Sequence, residues 1–497
     1  MSSKRSKPLS LHEILIELEN SNDPVPEYIA FEPPDNANTI VTDEDSGDED
    51  NITIHNLPGS ILRAPAKAVY TNCTTSDSEN EDDIPLASLQ KRPRTEVQQP
   101  LPSTSTSNTS SNEDVTLIRP TSVENKTYHW RNRHTANEFQ SFQPLEGPKN
   151  ELRPPINYFD QLFNDTTINL LVEYTNLYAT QKNKAGNITF SEMKCFIGIL
   201  LYSGYVSLPR RRMYWENSTD CEFSLVNRSL SRDRFTYILN HLHCCDNSLI
   251  QTQTDKFAKM RPLFRLLNTI FQENAPAEEM HSIDEAMIPY YGGHSCKQFI
   301  RGKPIRWGYK YWVGATRLGY VIWFDPYQGK SAQLPSIYKK FGLGGSVILQ
   351  YANVLQTMYP DNVYHLFFDN YFTSIPLLHE LKNRNLKATG TVRENRTSKC
   401  PLPTNQDFKK TDRGSFAFKA SLEEQILVCK WNDNSVVTVA SNAESIEPLQ
   451  TTKRFSQNLK KYINIDQPHI IKLYNENMGG VDRSDQNIGL YRTCIRE

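Results

Sequence analysis

The chain has 497 residues, with 55 Lys and Arg against 57 Asp and Glu, so its formal net charge is −2. It holds no run of about 18 apolar residues and no signal-peptide pattern at Met1-Ser2-Ser3-Lys4-Arg5, so a soluble intracellular protein with no membrane partner is expected. Its nine cysteines include no CxxC pair, which suits a reducing compartment and argues against a disulfide framework. The near-neutral total conceals a split: residues 1–124 carry 9 basic and 22 acidic residues, a balance of −13, leaving 46 basic and 35 acidic, +11, on the remainder. An acidic tail on a basic body points to nucleic acid as partner, against the plainer reading of ordinary surface charge.

Residues 1–125 are expected to form a disordered acidic tail, with DEDSGDED at 43–50 and SDSENEDD at 76–83 ahead of a Ser/Thr-rich stretch. Ser10-Leu11-His12-Glu13 is a capping-box pattern, and Leu11, Ile14, Leu15 and Leu18 recur at helical spacing. That short helix has no core of its own; it either docks on a protein partner or has no role. Lys91-Arg92-Pro93-Arg94 resembles a nuclear localisation signal, so residence in the nucleus is expected.

Between 126 and 280 the periodicity is helical, in "TINLLVEYTNLYATQ", "TFSEMKCFIGILLYSGY", "SRDRFTYILNHLHCCD" and "FRLLNTIFQEN". Arg210, Arg211 and Arg212, followed by Met213, Tyr214 and Trp215, suit phosphate contact and stacking, or else an ion-paired interhelical loop. His241-Leu242-His243-Cys244-Cys245 could suggest zinc, but adjacent cysteines chelate poorly and core packing is the better reading.

From 281 the order becomes strand, strand, strand, helix, strand, helix, strand, which predicts an α/β ribonuclease H-like core over 281–395. Residues 396–468 interrupt with β-rich material, an insertion, and 469–497 return to helix as a second part of the core. In such a fold one acid lies on the first strand, one after the fourth and a third on a later helix. Asp284 sits in "SIDEAMI", Asp369 ends "YHLFFD", and Asp482 lies in "GGVDRSDQ" with Asp485 one turn later as an auxiliary ligand. Each has a plain reading: an edge-strand acid, a turn, an N-cap. Together they suit two Mg²⁺ or Mn²⁺ ions and phosphoryl transfer, because hard cations take carboxylate oxygens and leave positions open for phosphate and water. Asp325 and Asp361 read as turns beside prolines. Lys297, Arg301, Lys303, Arg306 and Lys310, interleaved with Phe299, Trp307, Tyr309 and Trp312, suit an approaching nucleic-acid strand, or else a solvated hairpin face.

At "SIDEAMIPYYG", "RGKPIRWGYKYW", "FFDNYFTS", "ATGTVREN", "CKWNDNSVV" and "YNENMGGVDRSDQ" the sequence resembles the piggyBac transposase family, over about residues 150 to 491. The resemblance implies a cut-and-paste DNA transposase acting on double-stranded DNA at TTAA targets, with a catalytic triad carried onto Asp284, Asp369 and Asp482. It further implies that 126–280 is a dimerisation and DNA-binding domain, hence a homodimer, and that 396–468 is an insertion domain. A domesticated, non-catalytic DNA- or chromatin-binding protein keeping the fold is the alternative. Family members continue past the third Asp into a cysteine-rich zinc module, whereas this sequence stops at Glu497, so an apparent truncation is expected to cost terminal-repeat recognition.

Overall fold

The computed structural model describes residues 28–31, 66–69, 117–120, 126–134, 139–143, 152–218, 222–249, 255–300, 303, 305–329, 335–456 and 459–495. The expected helix after Ser10, the Lys91–Arg94 cluster and Arg301 lie outside these residues. The chain divides into two compact units, one of Met1–Asn112 with Ile300–Arg306, the other of Glu113–Phe299 with Trp307–Glu497. In the first unit, β1 (Tyr28–Phe31) pairs antiparallel with β2 (Ala66–Val69), where the sequence predicts only a disordered tail. Lys303 and Arg306 belong to this unit too, in the segment closed by Ile300 N–H donating to the Arg306 carbonyl at 2.9 Å.

The second unit opens with a helical block. Its helices are α1 (Pro155–Leu162), α2 (Asp165–Gln181), α3 (Phe190–Tyr202), α4 (Ser224–Ser229), α5 (Arg232–His241) and α6 (Arg261–Glu273). Local chemistry sets the starts: Asn164 caps α2, Thr189 and Glu192 form a reciprocal capping box at α3, and Ser231 caps α5. Arg234 then grips Glu192 with Nε at 2.7 Å and Nη2 at 2.9 Å, tying α5 to α3. Ile168, Met193, Phe196, Phe235 and Ile238 fill the core between them. Cys244 is buried in the same core and His243 stacks on Tyr178 at 3.6 Å, as the core-packing reading expects.

The rest of the unit is built on one ten-stranded sheet. Its strands are β3 (Trp130–Arg131), β4 (Met280–Pro289), β5 (Lys297–Phe299), β6 (Trp307–Thr316), β7 (Val321–Pro326), β8 (His365–Phe368), β9 (Lys387–Thr391), β10 (Phe416–Ser421), β11 (Ile426–Asn432) and β12 (Val436–Ser441). Across the sheet the order is β3-β10-β11-β12-β9-β8-β4-β6-β5, with β7 also on β6. β4, β8 and β9 run parallel to one another, while β6 is antiparallel to β4 and β7 antiparallel to β6. Two crossover helices, α7 (Gly342–Met358) and α8 (Ile375–Asn383), bury Ile348, Tyr351, Leu355, Leu377 and Leu381 against Ile283, Leu366 and Phe368. The insertion is not set apart from this sheet: β12 joins β9 through Val439–Thr391, Ala440–Gly390 and Ser441–Thr389, so the core sheet simply continues. The insertion also contains the short α9 (Asn405–Phe408), and β13 (Gln450–Ser456) pairs with β14 (Lys461–Gln467) as a separate ribbon. The chain returns through α10 (His469–Asn477) and α11 (Gly480–Leu490), after which Cys494 N–H donates to Ser203 Oγ at 3.0 Å on the helical block. No helix among the described residues is long and apolar enough to cross a membrane.

Candidate functional site

Asp284 lies in the middle of β4, and Asp369 follows the last residue of β8. These strands are parallel neighbours in which Ile283 pairs with Phe368, so the two acids come next at one level of the sheet. Asp284 pairs with Val313 of β6, on the face that also carries Tyr311, Ala315 and the helix residue Val481. Side chains alternate along a strand, so Ser282, two residues back, shares that face. Ser282 Oγ accepts the Val481 N–H at 3.2 Å, which seats the first turn of α11 beside the acid pair. Gly480 makes this approach possible: a Cβ there would stand 2.4 Å from both Ser282 Oγ and the Thr316 carbonyl.

Two backbone donors hold the acids in place. Asp284 Oδ1 accepts its neighbour's N–H, from Glu285, at 2.8 Å, and Asp369 Oδ1 accepts the Tyr371 N–H at 2.9 Å. Burial, and then the nearby Glu285 carboxylate, push the Asp369 carboxyl up to about 6 despite the N–H groups of Tyr371 and Phe372 and the charge of Arg393. A half-buried carboxylate raised in this way is one that a hard cation would relieve, and the donors on offer are all oxygen. On that ground the Asp284–Asp369 pair fits a divalent ion. The third acid is less enclosed. Asp482 is exposed in the first turn of α11, while Asp485, on the Val481 side of the helix, is half-buried. Among the described residues no group of three or more His, Cys, Asp or Glu side chains is gathered closely enough to hold a metal ion.

The basic residues separate into kinds that spacing could not distinguish. Arg210 and Arg212 are exposed and Arg211 is half-buried, at a turn over Arg211–Trp215. The aromatics of that turn are not available for stacking on bases. Tyr214 is fully buried in the helical core, its hydroxyl donating to the Val206 carbonyl, and Trp215 Nε1 donates to the Leu230 carbonyl at 2.8 Å. Lys297 is half-buried with its ammonium 5.2 Å from the centre of Trp307 and 3.3 Å from the carbonyls of Tyr291 and Gly292.

Lys310 corrects the expectation outright. It is 6% exposed, its ammonium lies 4.4, 5.6 and 5.4 Å from the ring centres of Trp312, Tyr327 and Tyr371, and Glu285 Oε2 is 4.0 Å away. It is a buried cation in an aromatic box behind the acids, enclosed where the sequence reading expects an exposed one. Asp325 is likewise no turn residue: it lies in β7 and binds Arg261 at 2.6 Å, tying α6 to the sheet. Glu285, Tyr371 and Ser282 went unmarked in the sequence. Only the adjacency of Glu285 to Asp284 hinted at any of them.

The model of the transposase IS4 family matches residues 154–497. The human chimeric ERCC6-PGBD3 protein is 42% identical over 504 residues, covering 100% of this chain, which spans 45% of that protein's length. Human piggyBac transposable element-derived protein 3 is 43% identical over 99% of this chain and 80% of its own. Human piggyBac transposable element-derived protein 2 is 41% identical over 94% and 74%. In fold, the chain is similar to a piggyBac transposase solved by cryo-EM as a synaptic complex with hairpin DNA, at a TM-score of 0.53 and 23% identity over 72% of each chain. The matched span covers the strands and helices that carry all four acids, and the chain belongs to the transposase IS4 family, among the piggyBac transposable element-derived proteins.

Proposed function

We propose that this chain is a metal-dependent DNA strand transferase of the piggyBac kind, cleaving double-stranded DNA and joining it in cut-and-paste fashion at TTAA targets. The observation that carries the reading is the placement of Asp284 and Asp369 at one level of adjacent parallel strands, on the face where α11 docks. The order β7-β6-β4-β8-β9, with β6 alone antiparallel to both its neighbours, supports a ribonuclease H-like core. Two Mg²⁺ or Mn²⁺ ions held by Asp284, Asp369 and Asp482, with Asp485 alongside, would supply an activated water and charge neutralisation at the scissile phosphate. The chain itself holds the carboxylates. The Tyr371 N–H orients Asp369, and Lys310 balances Glu285 behind the pair. Arg210, Arg211, Arg212, Lys297, Arg301, Lys303 and Arg306 are the cations proposed to meet DNA phosphates, in a homodimer acting in the nucleus, with the acidic tail as a protein contact.

The test is nicking of a supercoiled plasmid by the purified chain with Mn²⁺, beside Asp369→Asn, which keeps the shape and removes the charge. Nicking by the wild type that the variant lacks is the expected result. No nicking by either chain, with DNA binding intact, favours the second reading, a non-catalytic DNA-binding protein. The exposure of Asp482 is the specific observation on that side.

A further inference from the structure

The ribbon of β13 and β14 pairs Thr451 with Asp466, Lys453 with Asn464 and Phe455 with Tyr462. Residues opposite each other in an antiparallel pair share a face, and all six of these are exposed. The alternate set, Thr452, Arg454, Ile463, Ile465 and Gln467, is half-buried or buried. A ribbon with one wet face ordinarily presents polar side chains there. This one presents two rings instead: Phe455 is 43% and Tyr462 72% exposed, and they meet edge to face at 5.4 Å. Lys453 is exposed on the ring face and Lys460 at the turn beside it, while Lys461, which pairs with Ser456, is exposed on the other side of the ribbon; among the described residues none of the three forms an ion pair. Arg454, on the inward set, is by contrast fully engaged, with Nε on Asp433 at 2.9 Å and its guanidinium over Trp431. The inward charge of Arg454 is thus neutralised and that of Lys453 on the outward face left free, with Asp466 the one acid among the paired residues of the face.

We propose that this face binds single-stranded DNA, with unpaired bases stacking on Phe455 and Tyr462 and phosphates meeting Lys453 and Lys460. Stacking requires a free base face, which duplex pairing hides, and positive charge beside aromatic rings is the pattern that follows a single strand. A protein partner is disfavoured by the two lysines, since lysine is depleted at protein interfaces. The proposal goes beyond the cleavage reading and needs no metal.

The experiment is a salt titration of the full chain in EDTA, on fluorescent oligo(dT) and on a duplex of equal length. Phe455→Ala with Tyr462→Ala should weaken oligo(dT) binding by about 10- to 100-fold while leaving the duplex unchanged. Lys453→Gln and Lys460→Gln together should lower the log–log salt slope on oligo(dT) by about 1.4. Tyr462→Phe, which keeps the ring, should bind as wild type and excludes a folding defect as the cause. Unchanged oligo(dT) affinity in the alanine pair overturns the proposal. So does equal loss on both DNAs, which marks a duplex reader, or a smaller sedimentation coefficient without DNA, which marks a contact between copies of the chain. Binding is read without metal or cleavage, so these results stand apart from the nicking test.

Discussion

Lys310 enters the fold as a buried cation, and its loss should read as a packing defect and not as lost DNA affinity. Lys310→Met removes the charge that sits among Trp312, Tyr327 and Tyr371 and leaves Glu285 uncompensated. A destabilisation of about 2–4 kcal/mol is expected from a desolvated cation–π contact plus an orphaned carboxylate. Chemical denaturation measures it, and the salt slope of duplex binding should not move. A lowered slope would return Lys310 to the DNA surface. The sequence showed a lysine among aromatics but not that Tyr327 and Tyr371 arrive from other segments to enclose it. Asp284 and Asp369 were legible because an acid beside a buried apolar run has few plain explanations. His281, three residues before Asp284, is fully enclosed between Tyr351 and the Glu278 carbonyl, and burial pushes its imidazole down to about 4. It therefore stays neutral in the fold while the unfolded chain takes up a proton near 6.5, so its contribution is complete above 6.5 and falls as pH drops toward 4. Asp369 works in the opposite sense over the same range, so the test is a difference. The cost of His281→Asn should shrink between pH 7.5 and 5 by up to about 1.4 kcal/mol per pH unit below 6.5. A cost that does not change with pH contradicts a neutral buried imidazole.

At the scale of elements, the docking of α11 hangs on one glycine. Gly480→Ala must either lift the helix from Ser282 and Thr316 or shift β4, at a cost of about 1–3 kcal/mol for forced overpacking. Gly489→Ala is the control, in the last turn of the same helix with nothing within 4 Å of the added methyl, and should be neutral or stabilise by up to about 1 kcal/mol. Melting of the two variants decides it, and equal melting temperatures would mean that α11 is not seated where Ser282 holds it. The succession of strands and helices from 281 to 391 was readable from periodicity and turn residues alone. What periodicity could not supply is the partner of each strand. That β12 continues the core sheet through β9, and that β3 joins β10 from nearly three hundred residues away, are long-range pairings with no local signal. The aromatics after Arg212 were left between two readings for a related reason: an apolar ring beside basic residues looks the same whether it faces DNA or a helical core.

For the whole molecule, the imbalance of charge predicts competition between the tail and DNA. A chain lacking residues 1–124 loses a balance of −13 and should bind any duplex more tightly, most visibly at low salt, because an acidic segment competes with DNA for the same cations. Equal affinity of the two chains across the salt range would show that the tail does not reach the basic surface. The charge split and the order of motifs were visible in the sequence, but whether Asp482 or Asp485 reaches the Asp284–Asp369 pair was not, because it depends on how α11 turns once it has docked. That turn is the point on which the proposed activity rests. Calorimetric titration of Mn²⁺ into the chain with a duplex present, for wild type, Asp369→Asn, Asp482→Asn and Asp485→Asn, tests it most directly. About two ions are expected for the wild type, with binding weakened in Asp369→Asn and at least one further site lost in Asp482→Asn or Asp485→Asn. Wild-type binding in both of those helix variants would contradict it, because α11 would then supply no ligand.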